Sequence, residues 1–190
     1  MKTRLDIINY VRDNRELMEI IHIIENLDLE DCWLCAGAVR NVIWNYLSDK
    51  VPKFHFSSDV DIIFFEEEIN HQKVRQIETN LNRIYPKYNW EVRNQKEMHL
   101  LNPNTVPYKN SCDAVSKFPE TCTSIAIRLN KDGDVELFAP YGIEDLVNFR
   151  ICATPYYSEN KKRRQLYNSR IRSKNWQEYW QQLEIHFQDE

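Results

Sequence analysis

Apolar positions recur at three- and four-residue steps from Leu5 through Ile8, Leu17, Ile20, Ile21 and Ile24, which predicts an amphipathic helix over 5–26. A short apolar run over 32–36 ends at Gly37. Behind it, Val39, Ile43, Trp44 and Leu47 carry helical spacing through 38–48. After a polar break containing Pro52, SSDVDIIFFE reads as a strand, rich in β-branched and aromatic residues. Residues 68–85 return to the helical period, and Pro86 stops them. WEVRNQ, from Trp90, predicts the next strand, and residues 95–118, with Pro103 and Pro107, a long loop with one helical turn. TSIAIRL and DVELFA, joined by Asn130-Lys131-Asp132-Gly133, predict a hairpin. A short helix follows over 143–149, and from about 151 a polar tail leads into a Trp/Tyr-rich helical segment. This order predicts an α/β (α+β) fold, a mixed sheet covered by helices. Residues 1–150 would form the main domain, and 151–190 a basic and aromatic extension packing on it.

Composition narrows the class. A chain of 190 residues, 42% hydrophobic, is large enough for a core and too apolar for intrinsic disorder. No stretch approaches the roughly 20 apolar residues of a membrane span, and the charged first residues do not read as a secretory signal. Five cysteines, an odd number, fit a reduced cytoplasmic chain. Cys32 and Cys35 have CxxC spacing, but they lie in an apolar run with no second pair, so small buried core residues are expected. The histidines are scattered without metal-ligand spacing. Only three glycines are present, which excludes both GxGxxG and the P-loop. Any nucleotide site must be built another way.

The strongest chemical signal is Ser58-Asp59-Val60-Asp61-Ile62-Ile63-Phe64-Phe65. Alternation along a strand points Asp59 and Asp61 to one face, about 6.5 Å apart along the chain. Two carboxylates so placed repel unless a cation lies between them, and such pairs hold Mg²⁺ in phosphoryl transfer. The plainer alternative is a solvated strand end. About twenty residues upstream, Ala36-Gly37-Ala38-Val39-Arg40-Asn41 opens a helix whose N-terminal N–H groups suit phosphate. Arg40, one turn in, could grip phosphate oxygens with its planar fork. A third signal is 161–174, KKRRQLYNSRIRSK, with seven basic residues and no acid, on a chain whose net charge is −4. It could bind phosphates, with Tyr167, Trp176, Tyr179 and Trp180 stacking on bases. Alternatively it is a loop before a helix whose aromatics pack on the core.

Taken together, the small-Gly-x-x-Arg helix start and the hDhDh strand resemble the DNA polymerase β-type nucleotidyltransferase superfamily. CCA-adding enzymes and bacterial poly(A) polymerases share a similar GG-x-V-R-D start; this chain departs from it at Ala36, usually Gly or Ser, and at Asn41, usually Asp. AGAVRN-x-x-W, SDVDIIFF, WEVRNQ-x-x-MH, FPET, APYGIEDL and RIRSKNW look like the bacterial nucleotidyltransferase-like family 6. The resemblance implies Mg²⁺- or Mn²⁺-dependent transfer of a nucleoside monophosphate from a triphosphate to an acceptor hydroxyl, releasing pyrophosphate. The acceptor could be RNA, a protein or a small molecule.

By the same resemblance, Asp59 and Asp61 are metal ligands and catalytic, and Gly37, Arg40 and Ser58 contact the nucleotide. The superfamily's third carboxylate sits between hydrophobic residues on a later strand. Glu136 and Glu91 both qualify, and Glu136 is preferred because APYG follows it. Asn94, Gln95, Met98 and His99 are candidates for the pocket lining, and Glu120 for a buried acid paired with an arginine. Two other readings stay open: a nucleotide-binding protein of the same fold without turnover, and an RNA-binding module acting through the basic tail.

Overall fold

A computed structural model describes residues 1–50 and 59–189. The predicted first helix is two. α1 (Arg4–Asp13) is opened by a reciprocal cap between Thr3 and Asp6, and α2 (Arg15–Glu25) follows at once. Asn14 makes the break: its side-chain oxygen accepts from the N–H groups of Glu16 (3.1 Å) and Leu17 (3.0 Å) while its own N–H closes α1. One asparagine thus satisfies both helix ends.

β1 (Trp33–Cys35) turns at Ala36 into α3 (Gly37–Leu47). β2 (Asp59–Phe64), α4 (His71–Ile84) and β3 (Asn89–Asn94) form a crossover unit in which β2 and β3 run parallel. The expected loop over 95–118 holds a 3₁₀ turn (Met98–Leu101) and a short helix, α5 (Ser111–Ser116). The predicted hairpin forms as antiparallel β4 (Ala126–Leu129) and β5 (Val135–Phe138). The sheet order is β3-β2-β1-β4-β5.

The two faces of this sheet differ. Leu34, Val60, Ile62, Phe64, Val92 and Ile127 face the main core, which α1–α3 complete. The other face carries Trp33, Cys35, Ile63 and Ala126 against Val115 of α5, a smaller second cluster. By the period of two, Asp59, Asp61 and Glu91 belong to this second face, beyond the end of its apolar part.

The short α6 (Glu144–Val147), β6 (Arg150–Ile151) and α7 (Pro155–Ser158) lead to the region expected as a polar tail. Its basic run is a full helix, α8 (Lys161–Lys174), capped by Asn160, with Tyr167 and Ile171, one turn apart, buried. α9 (Trp176–Tyr179) and β7 (Glu184–Ile185), which pairs parallel with β6, complete it. Trp180 lies 5.0 Å from Trp44 and Trp176 lies 6.1 Å from it, and Trp180 donates to Asn45 at 3.1 Å. Tyr167, Trp176 and Trp180 are therefore core residues, not stacking platforms; Tyr179 is half exposed. Among the described residues, no helix is long and apolar enough to cross a membrane.

Candidate active site

The site is set by strand register. Asp61 stands opposite Cys35 on β1 and opposite Glu91 on β3, and Asp59 opposite Asn89, whose side-chain amide donates to it. In-register residues of paired strands share a face, so Asp61 and Glu91 meet side by side. Burial, then the neighbouring Glu91 and Asp59 charges, push the Asp61 carboxyl up to about 6, against the opposite pull of Arg40 and Arg170. The arrangement is a partly buried carboxylate beside a second one, Glu91, which pairs with Arg93 at 3.5 Å.

The start of α3 lies beside Asp61. Ala36 takes φ +54°, ψ −124°, a conformation that favours glycine, and its carbonyl accepts from the Arg40 N–H at 2.9 Å. A Cβ on Gly37 would lie 3.9 Å from Asp61 Oδ2 and 3.7 Å from Arg40 Nη2. The bare Gly37 Cα therefore leaves open the space between Asp61 and the helix start.

Arg40 does not present an exposed fork, as the sequence reading expected. Its side chain is buried: Nη1 donates to Thr123 Oγ1 at 2.7 Å, Nε and Nη2 to Asn41 Oδ1, and the guanidinium lies 4.1 Å from the Trp176 ring. Burial lowers its pKa. With each guanidinium nitrogen hydrogen-bonded and its plane against tryptophan, it fixes α3 to the 120–125 segment instead of reaching into solvent.

Glu136 also departs from expectation. β5 is three strand spacings from β2, about 14 Å. There, Glu136 accepts from Arg128 Nε at 2.7 Å, and Arg128 also pairs with Asp31 at 3.4 Å. Glu91, the other candidate, is the residue the register brings to Asp61. Ser58 lies outside the described residues.

Asp61 and Glu91 form part of the floor of a cleft of about 590 Å³. Met98, Leu101, Tyr108 and Tyr157 make one apolar end, and Arg93, Lys117, Arg170 and Lys174 bring positive charge around it. Gln95 and Met98 line the cleft as expected, whereas Asn94 is tied to the Glu66 backbone and His99 packs edge-on to Tyr108. Glu120 is fully buried and paired with Arg170 at 2.7 Å, matching the expected acid–arginine pair. All five cysteines are free thiols, and burial pushes Cys32 up to about 12, so CxxC belongs to packing. Sequence reading missed Tyr108, Lys117 and Tyr157 as cleft residues. Only the i,i+4 pair Asp113–Lys117, which marks α5, could have signalled the helix that carries Lys117. Among the described residues, no three His, Cys, Asp or Glu side chains converge as a ready metal cage.

A mixed sheet with acidic residues on its second strand beside a helix start defines a class of fold. A solved NMR structure described as revealing a CCA-adding enzyme head domain superposes with a TM-score of 0.90. It is 44% identical, and the match covers 98% of this chain and 97% of that one. A tRNA-processing enzyme in an apo form shares the fold alone, at 16% identity and a TM-score of 0.50, over 81% of this chain and 41% of that one. The class is the polymerase β-type nucleotidyltransferase fold. Within it, the family described as Nucleotidyltransferase (NTP_transf_6) matches residues 22–185, and the chain belongs to that family. No curated protein matches the chain.

Proposed function

We propose that this protein transfers a nucleoside monophosphate from a nucleoside triphosphate to an acceptor hydroxyl, releasing pyrophosphate, with Asp59, Asp61 and Glu91 as the metal-binding carboxylates. The observation that carries this reading is the in-register Asp61–Glu91 pair on the floor of a cleft beside the open Gly37. Mg²⁺ binds through one or two carboxylates and fills its remaining positions with water and phosphate oxygens, so the pair suits it without a full protein cage. Once bound, Mg²⁺ or Mn²⁺ supplies charge neutralisation at the transferred phosphate.

The chain's own residues position the reactants. Asp61 and Glu91 fix where positive charge collects, and Asn89 orients Asp59 at the open edge. Gly37 leaves room for a phosphate oxygen at the helix start, and Arg40 holds that helix against Thr123. The apolar end of the cleft, with Met98, Tyr108 and Tyr157, suits a nucleobase. Catalysis here is positioning and electrostatics, as phosphoryl-type transfer demands.

Calorimetric titration with ATP, GTP, CTP and UTP, in Mg²⁺ or EDTA, tests the reading. Binding that needs Mg²⁺ and is lost in Asp59→Asn/Asp61→Asn protein is the expected result. Triphosphate binding indifferent to both Mg²⁺ and those substitutions, or no binding by the wild type, would contradict it.

A further inference from the structure

Four cations reach the cleft, and two of them are already spoken for. Arg93 pairs with Glu78 at 3.0 Å and Glu91 at 3.5 Å, and Lys117 with Asp113 at 2.7 Å. Lys174 has no carboxylate partner among the described residues. Arg170 is different again. Its Nε donates to Glu120 Oε1 at 2.7 Å, while its two terminal amino groups have no partner among the described residues. About a third of the Arg170 side chain is exposed, on the cleft side, and it acts electrostatically on Asp61.

Glu120 explains that pose. It is 0% exposed, and its backbone is fixed by a bridge to Ala153 and by the Ser124 hydroxyl, which donates to its carbonyl. Its second oxygen, Oε2, is buried without a hydrogen-bond partner among the described residues. A buried carboxylate of this kind is costly unless it holds a charge in place. The charge it holds is one edge of a guanidinium whose other edge is left open.

We propose that α8 supplies the polyphosphate-binding wall of the nucleotide site: Arg170, positioned by Glu120, and Lys174 one turn on take the β- and γ-phosphates opposite Asp61 and Glu91. This assignment rests on the nucleotidyl-transfer reading and moves the phosphate grip from Arg40 to the C-terminal helix. The guanidinium fork left open by Glu120 matches two oxygens of a phosphate, and Lys174 adds a point charge. Arg170 and Lys174 lie at i,i+4 on one helix face, the spacing at which two side chains can act on one ligand.

The test measures Mg²⁺-dependent ATP affinity by calorimetry in wild type, Arg170→Gln, Lys174→Ala, Glu120→Gln and Glu120→Gln/Arg170→Gln, with thermal melting of each. Arg170→Gln is expected to weaken ATP about tenfold or more, and Lys174→Ala about threefold or more, the scale of lost charge-assisted contacts. Glu120→Gln should weaken ATP as well, yet add nothing in the Arg170→Gln background, because it acts through that arginine. A Glu120→Gln protein with altered melting and unaltered ATP affinity would show a purely structural acid and overturn its positioning role. Lys174 is exposed, so Lys174→Ala stays informative even if Arg170→Gln does not fold; unchanged ATP affinity there removes Lys174 from the wall. Wild-type protein that binds no triphosphate contradicts the transferase reading itself, whereas full Mg²⁺-dependent binding in both cation variants overturns only the assignment to α8.

Discussion

Asp61 carries the densest chemistry of any single residue here. Its folded pKa, about 6, stands above the ordinary 3.8, first through burial and then through the Glu91 and Asp59 charges. The folded state therefore binds this proton more tightly than the unfolded chain does. Below the unfolded value the group costs nothing; as pH rises from about 4 through about 6, stability falls, and the full cost persists above that. In EDTA, Asp61→Asn is thus expected to raise the melting temperature at pH 7.5, with the gain shrinking toward pH 4. Saturating Mg²⁺ should raise the wild-type melting temperature at pH 7.5 and leave Asp61→Asn little changed. A variant that melts lower than wild type at pH 7.5 in EDTA would show that the carboxylate is not held at a cost.

At the scale of elements, the turn from β1 into α3 aims the site. Ala36 holds φ +54°, ψ −124°, and such conformations cost a non-glycine residue on the order of 1–3 kcal/mol. The polymerase β-type start usually has Gly or Ser at this position, so alanine stands where the backbone favours glycine. Ala36→Gly relieves the strain and gives back part of the gain as unfolded-chain entropy, about 0.5–1 kcal/mol. A net stabilisation of about 1 kcal/mol is expected, read as a higher urea midpoint with an unchanged slope; a lower midpoint would contradict the strain. Other elements were more or less legible according to how local their causes are. The β4–β5 hairpin showed because alternation and a Lys-Asp-Gly turn lie within a few residues. The α1–α2 break did not, because Asn14 occupies a polar position that a continuous helix would also allow. In α8, seven basic residues masked the Tyr167–Ile171 stripe that buries it.

Over the whole molecule, the two DxD acids and the helix start were visible as a pattern along the chain, whereas the choice of Glu91 as the neighbour of Asp61 was not. Glu91 and Glu136 sit in the same local setting, each between hydrophobic residues on a strand. Only the α4 crossover, which lays β3 parallel beside β2, and the hairpin, which carries β5 to the opposite edge, separate them. Arg40 misled for a related reason: its burial depends on Trp176, which returns from more than a hundred residues away. The fold thus builds a cleft from distant parts, with the carboxylates on the sheet and Arg170 and Lys174 on the C-terminal helix. The most direct measurement of that account is the Mg²⁺-dependent affinity for ATP in Glu91→Gln and Glu136→Gln proteins. The account predicts a loss of about tenfold or more in Glu91→Gln and a change within about twofold in Glu136→Gln. The reverse order would place the metal site at the far edge of the sheet and contradict the site described here.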